Sequence, residues 1–172
     1  QYIEDVNYVA NFDLPWGKLN NKSIMLSGAT GLIGSMLVDV IMKKNGEGLN
    51  CTIYALGRSE SRMRRRFEYC YASRLFKFVK YDVNTKLSLN NVNMVDYILH
   101  LASNTHPVQY STDPIGTITT NIIGLQNLLN FAVEHNTARF VFASSNEIYG
   151  ENRGDVEKFN ENYCGYIDCN TM

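Results

Sequence analysis

The chain has 172 residues with a formal net charge of −1 at pH 7, and 45% of its residues are hydrophobic while 19% are charged. This is the composition of an ordinary globular protein, and the length suffices for one domain with a hydrophobic core. Such a charge gives no general attraction to nucleic acid or acidic membranes, and no apolar run approaches the roughly 20 residues of a membrane span.

The four cysteines indicate reduced thiols rather than a metal site. Cys51, Cys70, Cys164 and Cys169 form no Cys-x-x-Cys pair, and no histidine stands near them at the spacing of a zinc site. No secretory signal opens the chain, so we expect a cytoplasmic protein without a bound metal.

Residues 2–11 predict a short helix that precedes the main fold. Four apolar side chains share one face of it: Ile3, Val6, Val9 and Ala10. Pro15-Trp16-Gly17 then breaks the helical pattern. We expect Trp16 to anchor this N-terminal helical extension, residues 1–21, on the surface of the following domain.

A glycine-rich turn follows the first predicted strand. The apolar run 23–27 enters it, and a helical repeat of apolar residues over 32–41 leaves it. Gly28 permits a tight turn, Gly31 lets a phosphate approach the backbone, and Gly34 lets the helix pack closely. Backbone N–H groups and the positive helix end would then face a dinucleotide pyrophosphate, the alternative being a plain turn between core elements. The candidate contacts are Gly28, Thr30, Gly31, Leu32, Ile33 and Gly34.

The second predicted strand, 51–56, ends in Gly57-Arg58-Ser59, 23 residues after the last glycine of the turn. In a dinucleotide-binding fold this position meets the adenosine ribose, where an Asp or Glu would favour NAD. Here Arg58 and Ser59 favour the 2′-phosphate of NADP, unless Arg58 is only a loop residue in solvent. The arginine-rich stretch 60–74 that follows predicts an exposed helix face.

Two further predicted strands end in polar or small residues. These strands are 76–81 and 95–102. Asp82 follows the third strand and suits the adenine amino group, or it forms a plain turn. The small residues at 102 and 103 would let the middle of a cofactor lie across the end of the fourth strand. We expect His100 to be a hydrogen-bonded structural residue, while His106 in the next loop is open to either interpretation.

A long amphipathic helix is predicted from Asp113-Pro114 onward. Its apolar residues recur in alternating steps of three and four, which predicts one buried face: Ile115, Ile118, Ile122, Leu125, Leu129 and Ala132. Asn121 and Gly124 interrupt the helix, which permits close approach to the strand ends or forms a packing notch against another helix.

The fifth predicted strand, 139–143, runs into the polar segment Ser144-Ser145-Asn146-Glu147. Side chains at the carboxyl end of a parallel strand lie where ligands bind. Ser145 and Glu147 are therefore the best candidates for chemistry, the alternative being a polar turn.

The alternation of strands and helices predicts an α/β fold with a doubly wound parallel sheet and helices on both faces. The dinucleotide-binding domain should cover 22–150, with 151–172 forming a loop that leads into a further C-terminal part. A fifth strand without a neighbour would leave an open sheet edge and exposed apolar surface.

These motifs together resemble the extended short-chain dehydrogenase/reductase family with its NAD(P)-binding Rossmann fold. The stretches that carry the resemblance are 28–34, 100–103, 113–114, 121–124 and 142–150. Within the family they resemble the nucleotide-sugar epimerases, dehydratases and decarboxylases, and 100–150 is most similar to the UDP-glucuronate decarboxylases.

The resemblance implies an enzyme, a lyase or isomerase of nucleotide-sugar metabolism, in which bound NAD or NADP takes a hydride from a sugar and a transient keto-sugar forms. Ser145 matches the residue that hydrogen-bonds the sugar hydroxyl, and Glu147 matches a base of the dehydratases. The remaining cofactor contacts that it implies are Asp82, Val83, Leu101, Ala102, Ser103, Asn121 and Ser144. Family members are often homodimers through helices that include 114–134.

The sequence departs from the family pattern in three places. Gly57-Arg58 replaces the acidic ribose partner. Asn146 stands where 4,6-dehydratases have an aspartic acid, and asparagine cannot act as a general acid, which argues against dehydration. No tyrosine of the chain is followed four residues later by lysine, so the Tyr-x-x-x-Lys pair of the family is absent from these 172 residues.

We therefore expect these residues to be the N-terminal part of a longer enzyme, inactive alone, with the catalytic tyrosine, the sixth strand and the substrate domain further along. Two alternatives stay open. One is an NADP-dependent carbonyl reductase of the same fold, which Arg58 favours. The other is a dinucleotide-binding sensor without catalytic activity, which the missing tyrosine favours.

Overall fold

A computed structural model of the chain describes residues 1–89, 92, 94–103 and 107–167. Its centre is a five-stranded parallel sheet with the strand order β3-β2-β1-β4-β5. The strands are β1 Ser23–Ser27, β2 Thr52–Gly57, β3 Phe76–Lys80, β4 Tyr97–His100 and β5 Arg139–Phe142. This arrangement confirms the predicted doubly wound α/β fold.

Among the described residues, five α-helices accompany the sheet: α1 Tyr2–Ala10, α2 Leu32–Gly46, α3 Glu60–Phe67, α4 Pro107–Thr112 and α5 Pro114–Glu134. Each was expected from the sequence except α4, which begins where a loop was predicted. The fourth strand is shorter than the predicted 95–102. None of the described helices combines the length and apolar character that crossing a bilayer requires.

The hydrophobic core lies on both faces of the sheet. Alternate residues of β1 face opposite ways, so Ile24 and Leu26 pack with α2 and α3 while Met25 packs with α5. On the first face Val38 of α2 joins that cluster, and on the second Phe131 of α5 is almost fully buried. The two layers of helices thus enclose the central strand, as parallel sheets require.

The N-terminal helix α1 packs on α2 through a narrower face than the sequence predicted. Val6 and Ala10 are buried against Val40, and Val9 is partly buried beside them. Ile3, expected on the same face, is exposed. The expected anchor Trp16 is half-buried in this cluster, and its indole N–H donates to the Phe12 carbonyl at 3.0 Å.

The buried face predicted for α5 is wrong. The residues that face the sheet are Thr117, Gly124, Leu128, Phe131 and Ala132. Of the predicted stripe, only Ala132 belongs to that face; Leu125 is half-buried, and the others are exposed: Ile115, Ile118, Ile122 and Leu129. The helix carries two apolar stripes, and periodicity alone does not tell which of them meets the sheet.

The arginine-rich stretch is only partly the exposed surface that was expected. Arg62, Arg64 and Arg65 of α3 are exposed. Arg66 instead turns toward α2, where its guanidinium pairs with the buried carboxylate of Asp39. Because α3 packs beside α2, one side of the arginine cluster faces protein instead of solvent.

The described chain divides into two compact units, Gln1–Phe142 and Ala143–Met172. In the second unit, a 3₁₀ turn at Asn146–Tyr149 is followed by a loop closed by an antiparallel bridge between Glu151 and Tyr166. In the first unit, β5 forms the edge of the sheet, with the side chains of Val141 and Phe142 exposed.

Candidate functional site

The candidate site lies where the strand order reverses. From β1 the chain proceeds through β2 to β3 on one side, and then returns to place β4 on the other side of β1. Ser27 and His100, the last residues of β1 and β4, are neighbours in the parallel register. Ligands of doubly wound folds bind in the crevice that such a reversal opens at the carboxyl ends of the strands.

The glycine turn after β1 is packed tightly against the end of β4. Gly28 has a φ of +73°, and a Cβ there would lie 2.9 Å from backbone atoms of Leu101 and Ala102. A Cβ on Gly34 would lie 2.2 Å from the carbonyl oxygen of Gly28, and one on Gly31 would lie 3.2 Å from it. Side chains at these positions would force the turn away from both β4 and the start of α2.

The amino end of α2 faces the crevice without a side-chain cap. Gly31 is the N-cap residue and supplies no capping oxygen, so the N–H groups of the first turn keep their capacity to bind an anion. Leu32 and Ile33, two of the candidate contacts, are 87% and 62% exposed. Thr30, just before the helix, is half-buried.

A buried serine and histidine hold the ends of β1 and β4 together. Ser27 Oγ accepts from the backbone N–H groups of Leu101 at 3.1 Å and Ala102 at 3.2 Å. Its own proton is then available to Nδ1 of His100, 2.6 Å away, which places the imidazole proton on Nε2. Nε2 is buried and finds no partner among the described residues.

The residues that follow β2 include an exposed cation and a hydroxyl that serves local structure. Arg58 is exposed and forms no ion pair with any described residue. The Ser59 hydroxyl caps α3 by accepting from the N–H of Arg62 at 3.2 Å. Little space is left beside Gly57, because a Cβ there would meet the methyl group of Met63 at 3.0 Å.

Asp82 and Val83, after β3, form a turn that contacts α5. The Asp82 carboxylate accepts from the N–H of Asn84 at 3.0 Å, which is the turn role, the alternative to adenine binding. The notch at Gly124 of α5 receives Val83, whose Cγ2 would be 3.0 Å from an added Cβ. Asn127 also donates to the Val83 carbonyl at 2.8 Å. Gly124 therefore brings α5 close to this turn.

Ser103 and Asn121 face each other across the crevice end of β4. The Ser103 hydroxyl donates to Oδ1 of Asn121 at 2.7 Å. This bond ties the segment after β4 to α5 and leaves the Asn121 amide N–H groups for another acceptor. His106, which was open to a structural or a catalytic role, lies outside the described residues.

The candidate chemical residues belong to the second unit. Ser145 is the N-cap of the 3₁₀ turn, and its hydroxyl accepts from the N–H of Glu147 at 3.2 Å. Glu147 is exposed, and its carboxylate accepts from the Asn146 amide at 3.4 Å. Ser144 is exposed as well. The turn therefore presents a hydroxyl and a carboxylate two residues apart.

Sequence reasoning missed Ser27 as part of the site. The apolar pattern identifies it only as the last residue of a strand. The available signal was a hydroxyl side chain at the end of a buried apolar run, immediately before the first glycine of the turn. Such a residue has to find hydrogen bonds inside the protein, since it is only 1% exposed.

A family model described as the NAD dependent epimerase/dehydratase family matches residues 24–171. The chain belongs to this family. The match covers β1 from its second residue, the glycine turn, the other four strands and the segment with Ser145 and Glu147. This confirms the family resemblance drawn from the motifs.

Among relatives within this NAD dependent epimerase/dehydratase family, UDP-glucuronic acid decarboxylase 1 of Danio rerio is 33% identical over 149 residues, which are 87% of this chain and 33% of the relative. The protein of the same name from Arabidopsis thaliana is 31% identical over 145 residues, 84% of this chain and 31% of the relative. The chain thus spans about a third of the length of these relatives.

Solved structures of related enzymes share the fold. The UDP-glucuronic acid 4-epimerase of Bacillus cereus, in complex with UDP-glucuronic acid and NAD, superimposes with a TM-score of 0.63 at 21% identity, covering 84% of this chain and 46% of that one. The dTDP-glucose 4,6-dehydratase DesIV of Streptomyces venezuelae gives a TM-score of 0.62 at 24% identity, covering 74% and 41%.

Burial of His100 predicts how stability depends on pH. Desolvation lowers the pKa of His100 below its usual value, so the folded protein keeps the imidazole neutral where the unfolded chain takes up a proton. Stability should therefore fall as pH drops below about 6.5, by at most about 1.4 kcal/mol per pH unit for this group. Urea unfolding of wild type and His100→Gln across pH 5–8 (roughly the range in which histidine titrates) measures the effect. We expect the variant to have the shallower slope, and equal slopes would contradict the assignment.

Proposed function

We propose that the chain is the dinucleotide-binding part of an enzyme that converts a nucleotide sugar through a transient keto-sugar. The observation that carries the proposal is the glycine turn, which packs within van der Waals distance of the end of β4 at the strand-order reversal. The uncapped amino end of α2 and the exposed Leu32 and Ile33 beside it fit a ligand with a pyrophosphate and apolar rings.

Each strand end has a role in this proposal. The first-turn N–H groups of α2 hold the pyrophosphate, Arg58 and Ser59 face the adenosine ribose, and the turn at Asp82 lies beside the adenine. Leu101, Ala102 and Ser103 line the path to the nicotinamide, and Asn121 offers its amide to the same path. A bound nicotinamide supplies reversible hydride transfer; the residues named here bind and orient it.

The second unit would supply groups that touch the sugar. The Ser145 hydroxyl would hydrogen-bond a sugar hydroxyl, and Glu147 would accept a proton as a base. Asn146 cannot donate a proton as an acid, which favours decarboxylation or epimerisation over dehydration. The tyrosine and lysine expected to start hydride transfer are not among these 172 residues. The proposal therefore concerns the whole gene product, for which we also propose a cytoplasmic location because Cys51 and Cys70 are free thiols.

The direct test of the proposal measures turnover of UDP-glucuronic acid by the whole gene product with NAD. We expect release of carbon dioxide and a UDP-pentose, with a Ser145→Ala variant slower by about 100-fold or more because it loses a group that positions the sugar. Cys164→Ala, an exposed change in the same unit, is the matched control and should keep wild-type rates.

Three other results of that assay are distinguishable. An isomeric UDP-hexuronic acid without carbon dioxide release would place the enzyme among the epimerases. Net NADPH oxidation with a small carbonyl compound, and none with nucleotide sugars, would replace the proposal with a carbonyl reductase. Tight dinucleotide binding without turnover of any substrate would identify a sensor.

Cofactor choice gives a second prediction, since the exposed and unpaired Arg58 suits the 2′-phosphate of NADP. Replacing it in Arg58→Ala should weaken NADP binding by about tenfold, the size of a lost charge-assisted hydrogen bond, while NAD binding changes by less than about threefold. Arg74→Ala removes the same charge before β3, at the amino end of a strand rather than at the carboxyl end that Arg58 follows, and serves as the control. Calorimetric titration with each cofactor measures the two affinities. Equal losses of affinity for NADP and NAD would refute the role of Arg58 at the 2′-phosphate.

We further propose that the outer stripe of α5 forms a homodimer interface. Ile115, Ile118, Ile122 and Val133 are 58–79% exposed on one long helix, which is more apolar surface than a free helix face normally carries. The spacing of these side chains fits packing against a second copy of the same helix.

The dimer proposal predicts that charge on this stripe separates the subunits. Ile118→Glu with Ile122→Glu should give a monomer, because two carboxylates per subunit would be buried in the contact. Sedimentation velocity of the whole gene product measures the change. Ile3→Glu on α1 adds charge at another exposed isoleucine and should leave the dimer intact, whereas a wild-type monomer would exclude the interface.

A further inference from the structure

A buried carboxylate in the middle of α2 has no part in the proposed chemistry. The side chain of Asp39 is 8% exposed and lies against Arg66 of α3, which reaches it with both terminal nitrogens of the guanidinium. The hydroxyl of Tyr2 donates to the same carboxylate at 2.5 Å, and that of Tyr69 donates to its other oxygen. Both carboxylate oxygens are thus fully engaged.

The surroundings hold this pair in one geometry. The Arg66 guanidinium lies over the rings of Phe67, at 4.7 Å from the centroid, and Tyr2, at 5.4 Å. Burial and the bond to Asp39 raise the pKa of Tyr69, so its hydroxyl remains a donor at neutral pH. A planar, bidentate contact of this kind orients two helices more strictly than a lysine contact would.

Asp39 and Arg66 connect α2 and α3 at about the same distance along each helix from its amino end. Asp39 lies eight residues after Gly31, the N-cap of α2, and Arg66 lies seven residues after Ser59, the N-cap of α3. Both distances are about two helical turns. The two helices follow β1 and β2, which are paired in parallel register, so their amino ends start from the same edge of the sheet.

We propose that Asp39 and Arg66 are positioning residues that set the amino ends of α2 and α3 for a ligand that touches both. The inference rests on the proposed function, in which the pyrophosphate meets the start of α2 and the adenosine ribose meets the end of β2. The Tyr2 hydroxyl contacts both Asp39 and Arg66, and it thereby holds the N-terminal helix α1 against the pair. The chemical class concerned is a nucleoside diphosphate or a dinucleotide, which spans the two loops.

The test compares ligands that span both loops with ligands that reach one. Asp39→Asn should weaken NAD and ADP by about tenfold, because both bridge α2 and the end of β2. Inorganic pyrophosphate reaches only the start of α2, and adenosine reaches only the end of β2. Their affinities, followed by NMR titration of the whole gene product, should change by less than about twofold.

Matched variants separate positioning from general loss of stability. Glu47→Gln removes the surface ion pairs with Lys43 and Lys44 at the carboxyl end of α2 and should leave all four ligands unchanged. Arg66→Lys keeps the charge but loses the two-pronged contact, so it should weaken NAD and ADP selectively even if Asp39→Asn fails to fold. Because the pair acts as a unit, the double variant Asp39→Asn, Arg66→Lys should bind NAD no less tightly than whichever single variant has the lower affinity.

The outcomes are distinguishable. Unchanged NAD affinity in both single variants would overturn the positioning role, and so would equal proportional losses for NAD, pyrophosphate and adenosine. A wild-type protein that binds neither NAD nor ADP would instead refute the proposed function itself.

Discussion

The closeness of the ends of β1 and β4 is the constraint on which the rest of the structure depends. Ser27 supplies the hydrogen bonds that hold the two ends. Gly28 has no side chain, and this lets the turn lie against Ala102. A methyl group at residue 28 would meet three backbone atoms at 2.9 Å, and the positive φ is itself unfavourable for other residues. The crevice exists because both conditions are met at adjacent positions.

The features of the site that sequence could predict are local ones. Three spaced glycines, with a strand before them and a helix after them, lie within about a dozen residues of the sequence. This local pattern correctly predicts the turn, the start of α2 and the strand ends. Each depends on backbone conformation and on periodicity. The same reasoning placed Arg58 at the end of β2, because the apolar run of that strand stops at Gly57.

What sequence could not predict depends on contacts between distant parts of the chain. Ser27 and His100 are 73 residues apart, and nothing in either neighbourhood identifies the other as a hydrogen-bond partner. Arg66 reads as one of several surface arginines until α3 is packed beside Asp39. On α5 the apolar pattern is correct, but Leu128 and Phe131 are buried instead of Ile115 and Ile118, since the helix could present either stripe to the sheet.

The strand order also has a consequence for the time course of folding. Ser27 pairs with Leu56, 29 residues away, but with His100 only across 73 residues, so the second pairing closes a loop more than twice as long. Closing it costs on the order of 0.6 kcal/mol more in chain entropy, and such non-local pairing forms late. We expect β1, β2 and β3 to assemble first and β4 to join them afterwards. Because the crevice needs both β1 and β4, the ability to bind a nucleotide would arise only with the last of these steps.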